Sequence, residues 1–236
     1  MNNKRISRLI FVSAVYFTFS FFFLGCNSTE SIQLGDLKVE YLSNPMGIDT
    51  DQPRFSWKLI SDERNINQTA YQLIISESKE ETRKKIGQIW DSGKITSSET
   101  VNIQYNGKPL QSNTNYYWRV GLSIDDEKYT WSEPAFFHTG ILDEEKWKAK
   151  WITTQDGITN QSPFLRKGFK VNKKVDQAVA YVTAVGFYEF FLNGEKIGDH
   201  VLDPGITDYR ETILYSTYDV TDQLQQGENV TGALLG

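Results

Sequence analysis

Two short runs of carboxylates are the first residues in this sequence that could do chemistry. Residues 125–127 lie in "SIDDEKYTW", and residues 143–145 lie in "LDEEKW". Paired carboxylates can serve a glycosidase as an acid and a base or nucleophile, provided that they face each other across a cleft. Adjacent carboxylates in a turn point apart and stay solvated, so the two runs are interpreted as a hairpin tip and an interdomain linker. No residue is predicted to be catalytic.

A metal or cofactor site is not expected either. The chain has one cysteine, Cys26, and two histidines, His138 and His200, far apart in the sequence. Zinc sites need several Cys or His ligands at short spacings, so each histidine is interpreted as a structural or surface residue. Aspartate oxygens could bind calcium, but no loop has the regular ligand spacing of such a site. We therefore predict no metal and no cofactor.

Composition and charge favour a globular protein that does not bind nucleic acid. The chain has 30 acidic and 25 basic residues, a net charge of -5, whereas nucleic-acid binding needs a concentrated basic face. Hydrophobic residues make up 39% of the chain and aromatic residues 14%, which is enough for a packed core. Aromatic residues at this level suit β-structure.

A few aromatic and polar residues could bind carbohydrate. A sugar is held by stacking on aromatic faces and by hydrogen bonds to nearby polar groups. The candidates are Trp151, Tyr188 and Tyr209, with Asn193 and Asp208 near them in sequence. The alternative, which we favour for Tyr188 and Tyr209, is that these rings simply pack in a core.

The N-terminus predicts export. "MNNKRISRLIFVSAVYFTFSFFFLGC" has a basic start, a long apolar stretch and a small residue before Cys26, which is typical of a secretory signal peptide. "FLGC" resembles the lipobox of bacterial lipoproteins, with residues 1–25 removed, lipid attached at Cys26 and residues 26–35 as a tether. A spanning helix is the alternative. The resemblance implies anchoring to a membrane in the cell envelope, periplasmic or surface-facing.

Short alternating runs predict an all-β fold that begins with a sandwich over residues 36–140. "RFSWKL" places Phe55 and Trp57 on one strand face, and turn signals separate further runs such as "AYQLIISES". The arrangement resembles a fibronectin type III or immunoglobulin-like module. In it Tyr116 is placed as the corner tyrosine, and Trp118 and Val120 point inward.

A second β-domain is predicted over residues 151–236, after a linker over residues 141–150. Val179, Tyr181, Thr183 and Val185 are expected to share one strand face, and Asn193–Gly194 is a strong hairpin signal. The segment resembles a galactose-binding-like jelly roll. A full jelly roll has about eight strands, and five or six are recognisable, so we expect this domain to be incomplete.

The ordered set of phrases resembles the N-terminal part of bacterial α-L-rhamnosidases. The phrases include "NPMGIDTDQPRFSWKL", "WDSGKI", "WSEPAFFHTG", "KWKAKWI" and "YDVTDQLQQGENVTGALLG". In that family such β-domains precede an α/α-barrel that carries the catalytic carboxylates and hydrolyses terminal α-L-rhamnosyl linkages with inversion. No acidic residue of this chain matches the catalytic pair, and we expect the sequence to stop before the barrel.

The resemblance implies a non-catalytic accessory region of a glycosidase that is inactive alone. Its expected partners are rhamnose-containing glycans, through the full-length enzyme, and a membrane, through the lipid anchor. A stand-alone glycan-binding surface lipoprotein is the alternative. A third interpretation, compatible with the first, is a spacer that holds an enzyme away from the membrane.

Overall fold

A computed structural model describes residues 32–125, 128–154 and 162–236 of the chain. The proposed signal peptide and Cys26 lie outside these ranges, as do two of the acidic residues of the run at 125–127. Within the described part of the chain, no helix is long and apolar enough to cross a membrane. The described residues from Ile32 onward form one unit.

The first domain is an antiparallel β-sandwich. One sheet has the order β1-β2-β6; in the other, β4, β3, β7 and β8 follow one another, with β5 also paired to β3 and β9 to β7. In chain order the strands are β1 (Gln33–Val39), β2 (Arg54–Ile60), β3 (Ala70–Ser76), β4 (Trp90–Asp91), β5 (Ile95–Thr96), β6 (Ile103–Gln104), β7 (Asn115–Ser123), β8 (Thr130–Trp131) and β9 (Ala135–His138).

Period-two alternation builds the core of this sandwich. Phe55 and Trp57 are buried on β2, and Trp118 is buried on β7. The Phe55 and Trp118 rings meet edge to face at 4.8 Å, an arrangement that aromatic pairs prefer. The Tyr116 hydroxyl accepts a 2.8 Å hydrogen bond from the Gln111 backbone N–H, which is the contact expected of a corner tyrosine. The all-β prediction is confirmed.

A single helical turn departs from the expected all-strand pattern. Helix α1 (Lys79–Arg83) follows β3 and begins at Ser78, whose side chain accepts from the Glu81 backbone N–H. Ser with Glu three residues later is a helix-start signal, since both satisfy backbone donors that a helix leaves open. The turn is too short to produce a helical period in the sequence.

The second domain has two antiparallel sheets. The larger has the order β10-β15-β12-β13, and the smaller pairs β11 with β14. Asn193 and Gly194 form the β12–β13 turn with φ of 53° and 90°, the positive values that this dipeptide tolerates. The strands are β10 (Phe164–Val171), β11 (Val179–Val182), β12 (Tyr188–Leu192), β13 (Glu195–Lys196), β14 (Ser216–Asp219) and β15 (Gly227–Leu235).

Glycines let the two domains approach closely. A Cβ atom at Gly47 would lie 2.2 Å from Thr217 Oγ1 of β14, and one at Gly140 would lie 2.1 Å from the Tyr215 hydroxyl oxygen. That hydroxyl accepts a 3.0 Å hydrogen bond from the Ile141 backbone N–H. Side chains at either glycine would therefore push β14 away from the sandwich.

His138 is buried at this junction, at the end of β9. Its ring centroid lies 6.4 Å from that of Tyr181 on β11, and the side chain is fully inaccessible to solvent. Both ring nitrogens lack a hydrogen-bond partner among the described residues. Burial lowers the pKa of His138, and the nearby charge of Asp219 opposes this more weakly. The ring is therefore held in its neutral form.

Candidate functional site

The second domain contains a network of polar side chains around Asp203. This residue lies in the loop between β13 and β14. Ser216 Oγ donates to Asp203 Oδ1 at 2.7 Å, and Tyr188 donates from β12 to Oδ2 at 3.1 Å. Tyr218 also donates to Oδ2, and His200 Nδ1 lies 3.3 Å from it. The carboxylate thus joins two strands and the loop itself.

A backbone hydrogen bond holds Asp203 in place, and side-chain hydrogen bonds keep its carboxyl group ionised. The Tyr188 backbone N–H donates to the Asp203 carbonyl oxygen at 2.8 Å. Burial raises the pKa of Asp203, but the hydrogen bonds from its four side-chain partners outweigh burial, and the net pKa is lowered. Burial also raises the pKa of Tyr188 and of Tyr218, so both phenols remain protonated donors. Such a carboxyl is suited to holding a loop and is a poor general acid.

A polar cleft of about 270 Å³ opens beside this network. Gly198, with φ of +76°, passes over the Tyr218 ring, where a Cβ atom would lie 2.6 Å from Cε1. Two of the charged groups that line the cleft already have protein partners: Lys196 Nζ lies 2.6 Å from Glu189, and Asp219 accepts from Thr221. The cleft can accommodate a polar ligand but offers few free groups to bind it.

The carboxylate runs have capping roles in the structure. The Asp143 side chain accepts from the Glu145 backbone N–H at 3.1 Å and begins a 3₁₀ turn over Glu144–Lys146. Asp125 accepts from Ser123 and from the Lys128 backbone N–H. In both places the carboxylate is hydrogen-bonded to the backbone of its own turn, which is a structural role. Among the described residues no group of three His, Cys, Asp or Glu could hold a metal ion.

The structure does not bring the five predicted carbohydrate-binding residues into one cleft. Tyr188 is only 5% exposed, with its hydroxyl in the Asp203 network. Tyr209 is half-buried, and its hydroxyl accepts from the Gly186 backbone N–H at 3.2 Å. Trp151 is 63% exposed after the linker. Only Trp151 keeps a wide ring face free for stacking.

The two polar candidates are occupied by local contacts. Asn193 donates to Asn229 Oδ1 at 2.8 Å, and its own oxygen accepts from the Val230 backbone N–H. Asp208 pairs with Arg210 at 2.8 Å on the surface. A role for these residues in carbohydrate binding stays a prediction.

Sequence reasoning missed Asp203, Ser216 and Tyr218 as a group. One signal was available: Ser216 and Tyr218 are two residues apart on a strand, so they share a face. Nothing in the sequence indicated that Asp203, 13 residues before Ser216, would fold back beneath them. His200 was interpreted only as structural or surface, and its contact with Asp203 gives it a structural partner.

Two antiparallel β-domains that are closely docked define a tandem of β-modules. Residues 34–143 match a family described as "Rha78A-like, N-terminal immunoglobulin domain". Residues 173–236 match one described as "Alpha-L-rhamnosidase N-terminal domain". The chain therefore carries two domains of the N-terminal region of α-L-rhamnosidases.

Individual relatives agree with this assignment. An α-L-rhamnosidase from Formosa agariphila is 36% identical over 230 residues, covering 87% of this chain and 24% of that protein. The structure of an α-L-rhamnosidase from Dictyoglumus thermophilum matches with a TM-score of 0.80 and 40% identity, over 86% of this chain and 25% of that one. One from Aspergillus terreus matches with a TM-score of 0.71 and 28% identity, over 87% and 24%. The chain spans about a quarter of the length of the curated relatives it matches.

Proposed function

We propose that this chain is a non-catalytic N-terminal accessory region of an α-L-rhamnosidase that hydrolyses terminal α-L-rhamnosyl linkages in polysaccharides or glycosides. The observation that carries the proposal is the match of two N-terminal domain families, in order, to a chain whose carboxylates cap turns and loops. The closely docked domains suit a rigid support, because the polar groups of the Asp203 network are committed to internal contacts.

An activity assay on the full chain tests this proposal. The purified chain is incubated with an aryl α-L-rhamnoside, and the full-length Formosa agariphila relative is assayed in parallel as the positive control. We expect release of the aryl group by the relative and none by this chain. Turnover by this chain that survives repurification and scales with its concentration would overturn the proposal.

A replacement experiment tests the accessory role directly. The N-terminal quarter of the Formosa agariphila relative is deleted in one variant and replaced by this chain in another. Because accessory domains cover apolar surface of their neighbours, we expect the deletion to lower soluble yield and the replacement to restore it. A replacement that is no better than the deletion would contradict the proposal.

We further propose export and lipid attachment at Cys26, which would place the rhamnosidase in the cell envelope and bring its glycan substrates within reach. The support is the sequence pattern alone. Expression in a bacterial host with Cys26→Ser as the control tests it. We expect labelled palmitate to be incorporated into the unchanged chain and not into C26S. Labelling that is equal in the two proteins, or absent from both, would exclude a lipid at this position.

A separate glycan-binding role is the second candidate, and the exposed ring of Trp151 is the observation that favours it. Calorimetry with rhamnose and rhamnogalacturonan oligosaccharides tests this role, with Trp151→Ala as the variant. Heat that W151A abolishes would support binding at this ring. No heat at millimolar sugar would end the interpretation.

A further inference from the structure

A second and larger cleft lies on the first domain, away from the Asp203 network. Its volume is about 440 Å³, within the range of small-molecule sites. It forms where three segments meet: the β1–β2 loop, the β6–β7 loop and the start of the linker after β9. The cleft therefore depends on the way in which the linker folds back against the sandwich.

The inner wall of this cleft is apolar and firmly held. Tyr105 and Leu110 are buried, and Pro109 and Leu142 complete the wall. The Tyr105 ring meets Trp90 edge to face at 5.3 Å, while its hydroxyl donates to the Lys108 carbonyl oxygen. Since that hydroxyl is committed to the backbone, the wall presents carbon surface to the cleft.

The rim carries polar groups that the protein itself does not use. The side chains of Asp51, Asn106 and Lys146 line the cleft and are exposed. None of the three side chains has a hydrogen bond or ion pair with another described residue. A carboxylate, an amide and an ammonium thus line one cleft, and the opposite charges of Asp51 and Lys146 are not paired with each other.

The chemistry of wall and rim selects a class of ligand. A neutral sugar ring has a C–H face for an apolar wall, and hydroxyls that donate to carboxylate or amide oxygens and accept from ammonium or amide N–H groups. Asp51 and Asp143 against Lys146 leave the cleft with a slight negative balance, which disfavours an anion. The metal-ligand groups that a small cation needs are absent from the described residues.

We propose that this cleft, between the sandwich and the linker, binds a neutral saccharide, with Asp51, Asn106 and Lys146 as its hydrogen-bonding residues. This site would make the first domain a sugar-binding module in its own right. The inference goes beyond the proposed accessory function and does not depend on whether the full-length protein cleaves a rhamnoside.

Isotope-edited NMR on the full chain tests the proposal. The ¹⁵N-labelled protein is titrated with methyl α-L-rhamnoside, methyl β-D-galactoside and methyl α-D-mannoside, each to about 10 mM, the range of weak single-sugar binding. We expect at least one of them to shift the amide signals of Asn106, Gln111 and Lys146. Shifts confined to the Asp203 cleft or to Trp151, or no shift with all three sugars, would overturn the proposal.

Variants identify the hydrogen-bonding residues. Asp51→Ala, Asn106→Ala and Lys146→Met each remove one rim group and, because all three are exposed, leave the fold intact. We expect each to weaken binding about tenfold, the loss typical of one hydrogen bond to a charged or amide group. Asp222→Ala and Lys150→Met remove exposed charged groups elsewhere and serve as controls. Binding that survives in the variant carrying all three rim changes would also overturn the assignment.

Discussion

The carboxylate of Asp203 holds a long loop against two strands. It accepts hydrogen bonds from Tyr188 on β12 and from Ser216 and Tyr218 on β14, while the Asp203 backbone carbonyl accepts from the Tyr188 N–H. The sequence between β13 and β14 is otherwise irregular, so these bonds replace the regular pairing that the loop lacks. The loop and both sheets of the second domain therefore depend on one charge.

Replacing Asp203 with asparagine should destabilise the protein. An amide has one acceptor oxygen in place of two, and its NH₂ group would face hydroxyl donors. We expect Asp203→Asn to lower the free energy of unfolding by about 1–3 kcal/mol at pH 7. Urea denaturation measures this. Asp208→Asn, at an exposed pair with Arg210, is the control and should change stability little.

The same pair of proteins should show a defined pH dependence. The pKa of Asp203 is lower in the folded chain than in the unfolded chain. Its contribution is therefore complete above the unfolded pKa of about 4 and is lost as pH falls through the folded pKa. The difference in the free energy of unfolding between the native protein and D203N should become smaller as pH is lowered below about 5. A difference that is constant with pH would contradict this role.

His138 predicts a pH dependence of the same direction as that of Asp203, but in a higher pH range. Its pKa is lowered by burial, so unfolding exposes a ring that takes up a proton near pH 6.5. Stability linked to His138 is therefore complete above about pH 6.5 and falls as pH drops toward the folded pKa. His138→Phe keeps an aromatic ring but cannot bind a proton. We expect H138F to lose less stability than the native protein between about pH 7.5 and pH 5.5, as measured by urea denaturation at each pH.

At the scale of elements, close approach of backbones organises the junction between the domains. Gly47 has a φ of +79°, and its Cα faces Thr217 on β14. An alanine there would meet both backbone strain and a clash, whereas Gly93, with a φ of +61°, has open space around it. An alanine at Gly93 would therefore meet only the backbone strain of a positive φ, whereas an alanine at Gly47 would meet that strain and the clash with Thr217.

We expect Gly47→Ala to destabilise the protein more than Gly93→Ala. A positive φ costs a residue with a Cβ atom about 1 kcal/mol, and overpacking adds about 1–3 kcal/mol. The difference between the two variants in urea denaturation reports the contact with Thr217. Equal losses would mean that β14 moves away from Gly47 at little cost.

Local pattern predicted much of the fold but little of the polar network. The alternation that buries Phe55 and Trp57, and the Asn193–Gly194 turn, could be predicted because both depend on neighbours in sequence. Val185 was expected on a strand face with Val179, but β11 ends at Val182 and Val185 is 62% exposed. Gly186, with a φ of +107°, turns the chain there. Contacts such as that of Asp203 with β12 depend on tertiary pairing, which one sequence does not reveal.

At the scale of the whole molecule, apolar side chains gather on the outer loop of the second domain. The exposed fractions are 84% for Val201, 68% for Leu202 and 70% for Ile206. A Cβ atom at Gly205 would lie 3.5 Å from Leu214 Cδ1, so Leu214 belongs to the same surface. Exposed apolar surface of this kind promotes association.

Charging this surface should reduce self-association. We expect the double variant Val201→Lys, Ile206→Lys to show a lower apparent mass in light scattering at high protein concentration than the unchanged chain. Val101→Lys with Ile86→Lys places the same charges at exposed apolar positions of the first domain, 55% and 44% accessible, and serves as the control. A similar drop in both pairs would attribute the effect to net charge and not to this surface.

The place of β15 in the second sheet has a consequence for synthesis on the ribosome. β15 lies between β10 and β12, and β10 pairs with no other described strand. Phe164 on β10 therefore has no strand partner until Leu234 on β15 has been synthesised. The first domain can close as soon as β9 emerges from the exit tunnel, whereas the larger sheet of the second stays unpaired until its central strand follows. During translation the nascent second domain is therefore the segment whose unpaired strands a holding chaperone would bind.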